Sequence, residues 1–126
     1  MKPALTAILP CNDLDASEAF YRRLGFARPA GDRPVAGGDD GYRILHDENG
    51  SGLHLTKAVD GWLVPGRNPF GLYCYRADVD RLAGIFRDEI LQGDGPSDKP
   101  WGMYEFAISD PDSTLVRIGW PTRLRP

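Results

Sequence analysis

The sequence has few cysteines and no long hydrophobic run. Only Cys11 and Cys74 are present, so at most one disulfide is possible by count. Isolated cysteines in strand-like segments are more often small buried apolar groups, and we expect this here. No stretch approaches the roughly 20 apolar residues of a spanning helix, and the N-terminal run MKPALTAILPCNDLD becomes acidic too early for a secretory signal. We therefore expect a cytoplasmic protein without a membrane partner.

The chain also lacks a basic surplus and the common catalytic motifs. It carries 15 Lys and Arg against 18 Asp and Glu, a net charge of −3. Nonspecific nucleic-acid binding needs cations that displace phosphate counterions, so we expect no nucleic-acid partner. There is no Gly-x-Ser-x-Gly elbow, no P-loop and no dinucleotide-binding glycine fingerprint. With 41% apolar and 26% charged residues, the composition and length fit one folded domain, residues 1–126.

Two halves of the chain follow one plan. Residues 12–26, NDLDASEAFYRRLGF, are similar to residues 77–91, ADVDRLAGIFRDEIL. Both segments place apolar residues at helical spacing, so they predict helices packed by one face on a sheet, with Asp15 or Asp80 as N-cap. An apolar run precedes each helix, and a hairpin pattern with an Asn-Gly or Asp-Pro turn follows it. Each half is therefore predicted to follow the order β-α-β-β, and one further short strand is possible in each.

These features together resemble the vicinal oxygen chelate superfamily, which joins glyoxalases, extradiol dioxygenases and antibiotic-resistance proteins. The resemblance lies in the opening stretch LPCNDLDASEAFYRRLGF, the half-chain repeat and the hairpin KPWGMYEFAISDPD. The hairpin and the run LTKAVDGWLVPG are most similar to bleomycin resistance proteins, which bind the drug and sequester it. The resemblance implies an α+β fold of two βαβββ modules, about 1–60 and 68–122, in an incomplete barrel of about eight mixed strands. It also implies a homodimer whose clefts are shared between chains.

Metal-dependent relatives in this superfamily carry His, Gln or Glu ligands at four inward-facing strand positions. The resemblance carries these positions to Thr6, His54, Gly71 and Arg117. A divalent ion needs several imidazole or carboxylate donors, and a permanently cationic guanidinium does not ligate one. We therefore expect no metal, no other cofactor and no catalytic residue. The alternative is a metal-dependent glyoxalase- or dioxygenase-like enzyme that takes its ligands from other positions.

The leading hypothesis is a metal-free protein that binds and sequesters a bleomycin-type antibiotic. Its predicted site combines flat apolar walls with a few polar groups, as small-molecule pockets do. The predicted ligand-binding residues are Trp62, Phe70, Trp101, His54, Tyr73, Arg117 and Glu105. Arg117 either faces the ligand or pairs with Glu105 across the hairpin, and the tryptophans either line a cleft or pack in a dimer. An anionic or zwitterionic ligand, and a regulatory dimer without a pocket, are further alternatives.

The turn of the second hairpin departs from the superfamily signature. Where that signature reads DPDG, this chain reads DPDS, with Ser113 in place of glycine. The turn must therefore avoid a positive φ at Ser113 or carry a strain of about 1 kcal/mol.

Overall fold

The structure is a computed structural model that describes residues 5–29 and 41–126. The chain divides into two units, Met1–Pro65 and Gly66–Pro126. The order strand, helix, hairpin occurs in both, as the sequence repeat predicts. That the two units make one domain stays a prediction.

Among its described residues, the first unit holds a three-stranded sheet and one helix. Its elements are β1 (Ala7–Cys11), α1 (Leu14–Arg22), β2 (Tyr42–His46) and β3 (Gly52–Lys57). The strand order is β1-β3-β2, with β1 parallel and β2 antiparallel to β3, so the predicted hairpin is confirmed. An isolated bridge joins Ala27 to His46 and marks the position of a further short pairing in this half.

Helix α1 begins after Asp13, so the prediction that Asp15 caps it is wrong. The Asp13 side chain accepts a hydrogen bond from the Ala16 backbone N–H at 3.1 Å. An N-cap keeps an extended backbone, and Asp13 has φ −134° and ψ 104°. Asp15 lies in the first helical turn, where its negative charge is favourable beside the helix dipole.

Alternation along the strands separates the two faces of the first sheet. Leu9, Cys11 and Leu55 are buried on the face that packs against α1. Cys11 and the half-buried Cys74 of the second unit are both thiols. On the opposite face Ile8 and Ile44 are exposed. The first sheet thus has one face in the core and a second face on which apolar residues are exposed.

A buried carboxylate on α1 joins the helix to its surroundings. Glu18 accepts hydrogen bonds from Arg28 and Arg43 at 2.8 Å each and from Arg22 at 3.3 Å. Only a few per cent of the Glu18 side chain is exposed, and charge at such depth is tolerated when it is paired in this way. This group of charges holds α1 on β2 and has a structural role in the first unit.

The second unit holds a four-stranded sheet. Its elements are β4 (Gly71–Tyr75), α2 (Val79–Ile85), β5 (Ser97–Asp98), β6 (Met103–Ser109), β7 (Leu115–Pro121) and a 3-10 helix (Thr122–Leu124). The order is β4-β7-β6-β5, with β4 parallel to β7 and the other pairs antiparallel. The hairpin of β6 and β7 is the predicted one, and β5 is the additional short strand of this half.

Helix α2 is shorter than its pattern predicts and is capped differently. Asp78, not Asp80, occupies the N-cap, and no side-chain capping bond forms there. The Asp78 carboxylate instead binds Arg76 at 3.0 Å and Arg81 at 2.6 Å. Burial alone raises the pKa of Asp78, but the Arg81 hydrogen bond and the Arg76 charge outweigh it and hold the pKa below its usual value. The arginines therefore compete with the helix for this carboxylate.

One face of the second sheet forms the core of its unit. Phe106, Ile108, Val116 and Ile118 are buried on the face toward α2, which lies against β6 and β7. The other face, which we call the open face, carries the alternate residues of β4, β6 and β7. Within the described parts of the chain, neither helix has the length or the apolar run that crossing a bilayer requires.

Candidate ligand-binding site

The open face of the second sheet brings together residues that are far apart in sequence. Tyr73 of β4 lies beside Arg117 of β7, and Gly119 lies between Tyr75 and Glu105. Because side chains alternate along a strand, these five residues share the face that α2 does not cover. The parallel pairing of β4 with β7 therefore places β4 side chains near the hairpin.

Glu105 is the centre of this face. It is only 1% exposed, yet it accepts hydrogen bonds from three side chains. Its Oε1 accepts from the Tyr73 hydroxyl at 2.9 Å and from Trp101 Nε1 at 2.8 Å, and its Oε2 accepts from Arg117 Nη1 at 2.9 Å. We call these four residues the Glu105 cluster. A buried carboxylate with one cation and two neutral donors is well compensated.

The cluster fixes the protonation states of its members. Burial alone raises the pKa of Glu105, but the hydrogen bonds from Trp101, Arg117 and Tyr73 and the Arg117 charge outweigh burial, so the pKa lies below its usual value. Burial, followed by the hydrogen bond and charge of Glu105, raises the pKa of Tyr73 well above its usual value. At neutral pH Glu105 is therefore an anion and Tyr73 is a hydrogen-bond donor.

Gly119 leaves the space in which the cluster forms. A Cβ at this position would lie 2.8 Å from Glu105 Cβ and 3.1 Å from Tyr73 Cζ. Real Cβ atoms essentially never approach a neighbour to 2.8 Å. The absence of a side chain at Gly119 lets the Tyr73 ring cross β7 and reach Glu105.

A pocket of about 640 Å³ opens at the end of the strands beside the cluster. Its lining residues are Tyr75, Trp101, Gly102, Met103, Pro121, Thr122 and Arg123. Trp101 is 60% exposed and Tyr75 is 64% exposed, so both present ring surface to solvent. The Tyr75 ring lies 4.9 Å from the Tyr73 ring at an interplanar angle of 44°. The pocket is chiefly apolar and aromatic, with one guanidinium, as small-molecule pockets often are.

The structure brings four of the seven predicted site residues together in the second unit, namely Tyr73, Trp101, Glu105 and Arg117. Phe70 directly precedes β4 and is exposed. His54 lies in the first unit, where its Nδ1 is 2.6 Å from the Tyr42 hydroxyl. Trp62 lies in the same unit and is 81% exposed. That these seven residues bind a ligand stays a prediction.

The two interpretations of Arg117 turn out to be compatible. Its Nη1 donates to Glu105, as the pairing interpretation requires. Its side chain is nevertheless 39% exposed on the open face. An ion pair with a buried partner therefore leaves part of the guanidinium accessible.

The four positions that correspond to metal ligands do not fit a metal ion. Thr6 and His54 belong to the first unit and offer one hydroxyl and one imidazole. Gly71 and Arg117 belong to the second unit and offer no donor for a cation. Within residues 5–29 and 41–126, no three His, Cys, Asp or Glu side chains are grouped so that they could hold an ion. The chemistry of this donor set gives no basis for a metal-dependent step.

Of the residues that line the pocket, sequence reasoning predicted only Trp101 and missed the others, among them Tyr75, Met103 and Arg123. The run FGLYCY carries a usable signal for the first, because alternation places Tyr73 and Tyr75 on one face of a strand. Met103 begins β6, directly after the Trp101-Gly102 turn. For Arg123, which follows β7 in the 3-10 helix, we find no signal in the sequence.

Known proteins are similar to this chain along nearly its whole length. A bleomycin resistance protein from Klebsiella pneumoniae is 30% identical, over 94% of this chain and 92% of the relative. The crystal structure of a bleomycin resistance determinant encoded on transposon Tn5 has a TM-score of 0.71 at 25% identity, over 95% and 98% of the two chains. A bleomycin-binding protein complexed with bleomycin has a TM-score of 0.70 at 26% identity and the same coverage. No family model matches the chain.

The chain belongs to the bleomycin resistance protein family, within the vicinal oxygen chelate superfamily. The α+β fold predicted from the opening motif, the repeat and the hairpin is confirmed by these structural matches. The pocket and the Glu105 cluster belong to the second unit of that fold.

Proposed function

We propose that the protein binds and sequesters a bleomycin-type antibiotic. The main observation that supports this proposal is the pocket of the second unit. Its exposed wall residues Trp101 and Tyr75 offer ring surface to a planar ligand. Stacking of a flat heteroaromatic group on such rings contributes roughly 1 kcal/mol beyond area burial. Membership of the bleomycin resistance family, and a similar structure described as complexed with bleomycin, support this ligand class. Protection by capture depends on affinity and stoichiometry and needs no turnover.

Calorimetric titration with copper-loaded and metal-free bleomycin tests the proposal. We expect saturable heat at micromolar protein, and a loss of at least about tenfold in affinity for Trp101→Ala because a stacked indole is removed. Ile85→Ala is the matched control, since Ile85 is an exposed apolar residue at the end of α2 and outside the pocket lining. The absence of both binding heat and a thermal shift in the wild-type protein would contradict the proposal.

A second candidate ligand is an anionic or zwitterionic planar compound. Arg123 lines the pocket, and Arg117 of the Glu105 cluster keeps part of its guanidinium exposed. Guanidinium groups favour carboxylate and phosphate ligands over cationic ones. Binding of a planar aromatic carboxylate that Arg123→Gln weakens, together with no binding of bleomycin, would favour this candidate.

The same proposal includes three further points. The protein binds its ligand without a metal ion, it forms a homodimer with shared clefts, and it resides in the cytoplasm. Ile8 and Ile44 are exposed on the face of the first sheet opposite α1, and they support association because exposed apolar residues are stabilised by a partner surface. Light scattering after size exclusion should give twice the chain mass of 13.9 kDa. One retained metal equivalent per chain after chelator treatment would contradict metal-free binding.

A further inference from the structure

Trp101 is an exposed indole whose orientation depends on one hydrogen bond. It lies in the turn before β6, with Gly102 at φ 88° next to it, and 60% of it is exposed. Exposed loop side chains normally exchange between rotamers on fast time scales. Here the indole Nε1 donates to Glu105 Oε1 at 2.8 Å, and this bond selects one orientation of the ring.

The acceptor of that bond is itself held in place. Glu105 lies within β6, is 1% exposed, and its second oxygen accepts from Arg117 at 2.9 Å. Gly119 lies beside it as its cross-strand neighbour on β7 and leaves the space that its side chain occupies. A ligand that reached the carboxylate oxygens would have to displace their donors. Glu105 therefore holds other side chains in place. The sequence analysis, in contrast, predicts that Glu105 contacts the ligand directly.

The same carboxylate also supports the second aromatic wall. The Tyr73 hydroxyl donates to Glu105 at 2.9 Å, and the Tyr73 ring lies 4.9 Å from Tyr75. Tyr75 lines the pocket together with Trp101. One buried group thus reaches Trp101 directly and Tyr75 through Tyr73.

We infer that Glu105 is a positioning residue of the ligand site, which holds Trp101 in the orientation that a planar ligand meets and controls affinity without touching the ligand. The effect on affinity rests on the proposed function, whereas the effect on Trp101 does not. A fixed indole loses less conformational entropy on binding than a mobile one. Removing the anchor should therefore weaken binding even when the fold and Trp101 are both retained.

The first measurement follows the Trp101 indole N–H in ligand-free protein. Its ¹H–¹⁵N resonance is identified by its loss in Trp101→Phe. We expect Glu105→Ala to accelerate its hydrogen exchange by about tenfold, the amount that corresponds to one net hydrogen bond. Glu105→Gln retains an amide oxygen that accepts from the indole and should keep the slow exchange. The indole of the half-buried Trp120 in β7 is the internal control for an intact fold, and its exchange should not change.

The second measurement is the affinity of the same variants for copper-loaded bleomycin. We expect Glu105→Ala to bind about tenfold more weakly and Glu105→Gln to recover most of the affinity. Glu105→Asp keeps the charge but withdraws the acceptor by one methylene, so it should resemble Glu105→Ala. It replaces Glu105→Ala if that variant does not fold.

The outcomes separate this inference from the proposed function. Unchanged indole exchange in Glu105→Ala and Glu105→Asp would overturn the inference. It would also be overturned if Glu105→Ala bound copper-loaded bleomycin within twofold of wild type while Trp101→Ala bound it at least about tenfold more weakly. If the wild-type protein binds neither form of bleomycin, the proposed function fails. Indole exchange still decides the role of Glu105 in that case, because it is measured without ligand.

Discussion

Gly119 shows how a single missing side chain sets the geometry of the candidate site. Its Cα lies between β4 and β6, where the Tyr73 ring passes over the strand toward Glu105. This role depends on close approach and does not require a left-handed backbone. It links a sequence detail in β7 to the orientation of side chains on both neighbouring strands.

Gly119→Ala should therefore destabilise the protein and weaken ligand binding. The added methyl group would meet Glu105 Cβ at 2.8 Å, so Tyr73 or β6 must shift. We expect a loss of about 1 to 3 kcal/mol in the free energy of unfolding, the usual range for overpacking, measured by urea denaturation. Gly84→Ala is the matched control, because a Cβ at Gly84 of α2 meets nothing within 4 Å and alanine favours helices. Equal effects of the two substitutions would contradict this account.

Ser113 carries the strain that its sequence position implies. Its φ is 66°, in the left-handed region that glycine tolerates best. Asp110 holds this turn, since its carbonyl oxygen accepts from the Ser113 N–H and its carboxylate accepts from Asp112 and Thr114. The hydrogen bonds of the turn therefore stabilise a conformation that serine disfavours.

Ser113→Gly should stabilise the protein by up to about 1 kcal/mol. Relief of the positive φ favours the variant, whereas the larger entropy of glycine in the unfolded chain reduces the gain. Thermal and urea unfolding measure the difference. Ser109→Gly, in β6, is the control and should destabilise instead, because glycine is unfavourable inside a strand. A loss of stability in Ser113→Gly would show that the turn does not carry the expected strain.

At the scale of elements, the sequence predicts the hairpins better than the helix ends. The turns at Asn49-Gly50 and Asp110-Pro111 use residues whose local conformational preferences suffice to reverse the chain. Helix caps depend on competition for a carboxylate. Asp13 is available to cap α1, whereas the Asp78 carboxylate is bound by two arginines and accepts no capping hydrogen bond from α2.

Asn68 connects the segment before β4 to the turn of the second hairpin. Its Nδ2 donates to the Asp112 carbonyl at 3.1 Å and to Thr114 Oγ1 at 2.9 Å. Its Oδ1 accepts from the Phe70 N–H at 2.9 Å. One amide thus fixes the start of β4 relative to the turn between β6 and β7.

Asn68→Ala should lower the free energy of unfolding by about 1 to 3 kcal/mol, because it leaves buried or half-buried partners without their hydrogen bonds. Amide hydrogen exchange should accelerate at the turn and at the start of β4. Asn49→Ala is the control, since Asn49 joins its turn through its backbone N–H, which alanine retains. Unchanged exchange at the turn in Asn68→Ala would refute the connecting role.

At the scale of the whole molecule, the limit of sequence reasoning is the register between distant strands. Tyr73 and Glu105 are separated by 32 positions, and they meet only because β4 pairs in parallel with β7 and β7 pairs with β6. Composition and alternation identify aromatic and charged residues on one face of a strand. They do not specify which strands become neighbours, so the sequence predicts Tyr73 and Glu105 for one site without the hydrogen bond that joins them.

The pH dependence of stability is set in part by two carboxylates with lowered pKa values, Glu105 and Asp78. A carboxylate whose pKa is lower in the folded than in the unfolded chain adds stability above the unfolded pKa. That stability is lost as the pH falls through the folded pKa. We therefore expect urea denaturation to give a falling free energy of unfolding below about pH 4.5, the ordinary value for glutamate.

Glu105→Gln should flatten this dependence, because the variant has no proton to bind at that position in either state. Trp101→Phe should flatten it partly, since it removes one of the hydrogen bonds that lower the pKa of Glu105 while the carboxylate remains. The free energy of unfolding should therefore depend most steeply on pH in the wild type and least steeply in Glu105→Gln. This order follows from the cluster geometry alone. Parallel curves for wild type and Glu105→Gln would mean that Glu105 titrates alike in folded and unfolded chains, which three hydrogen bonds to its carboxylate do not allow.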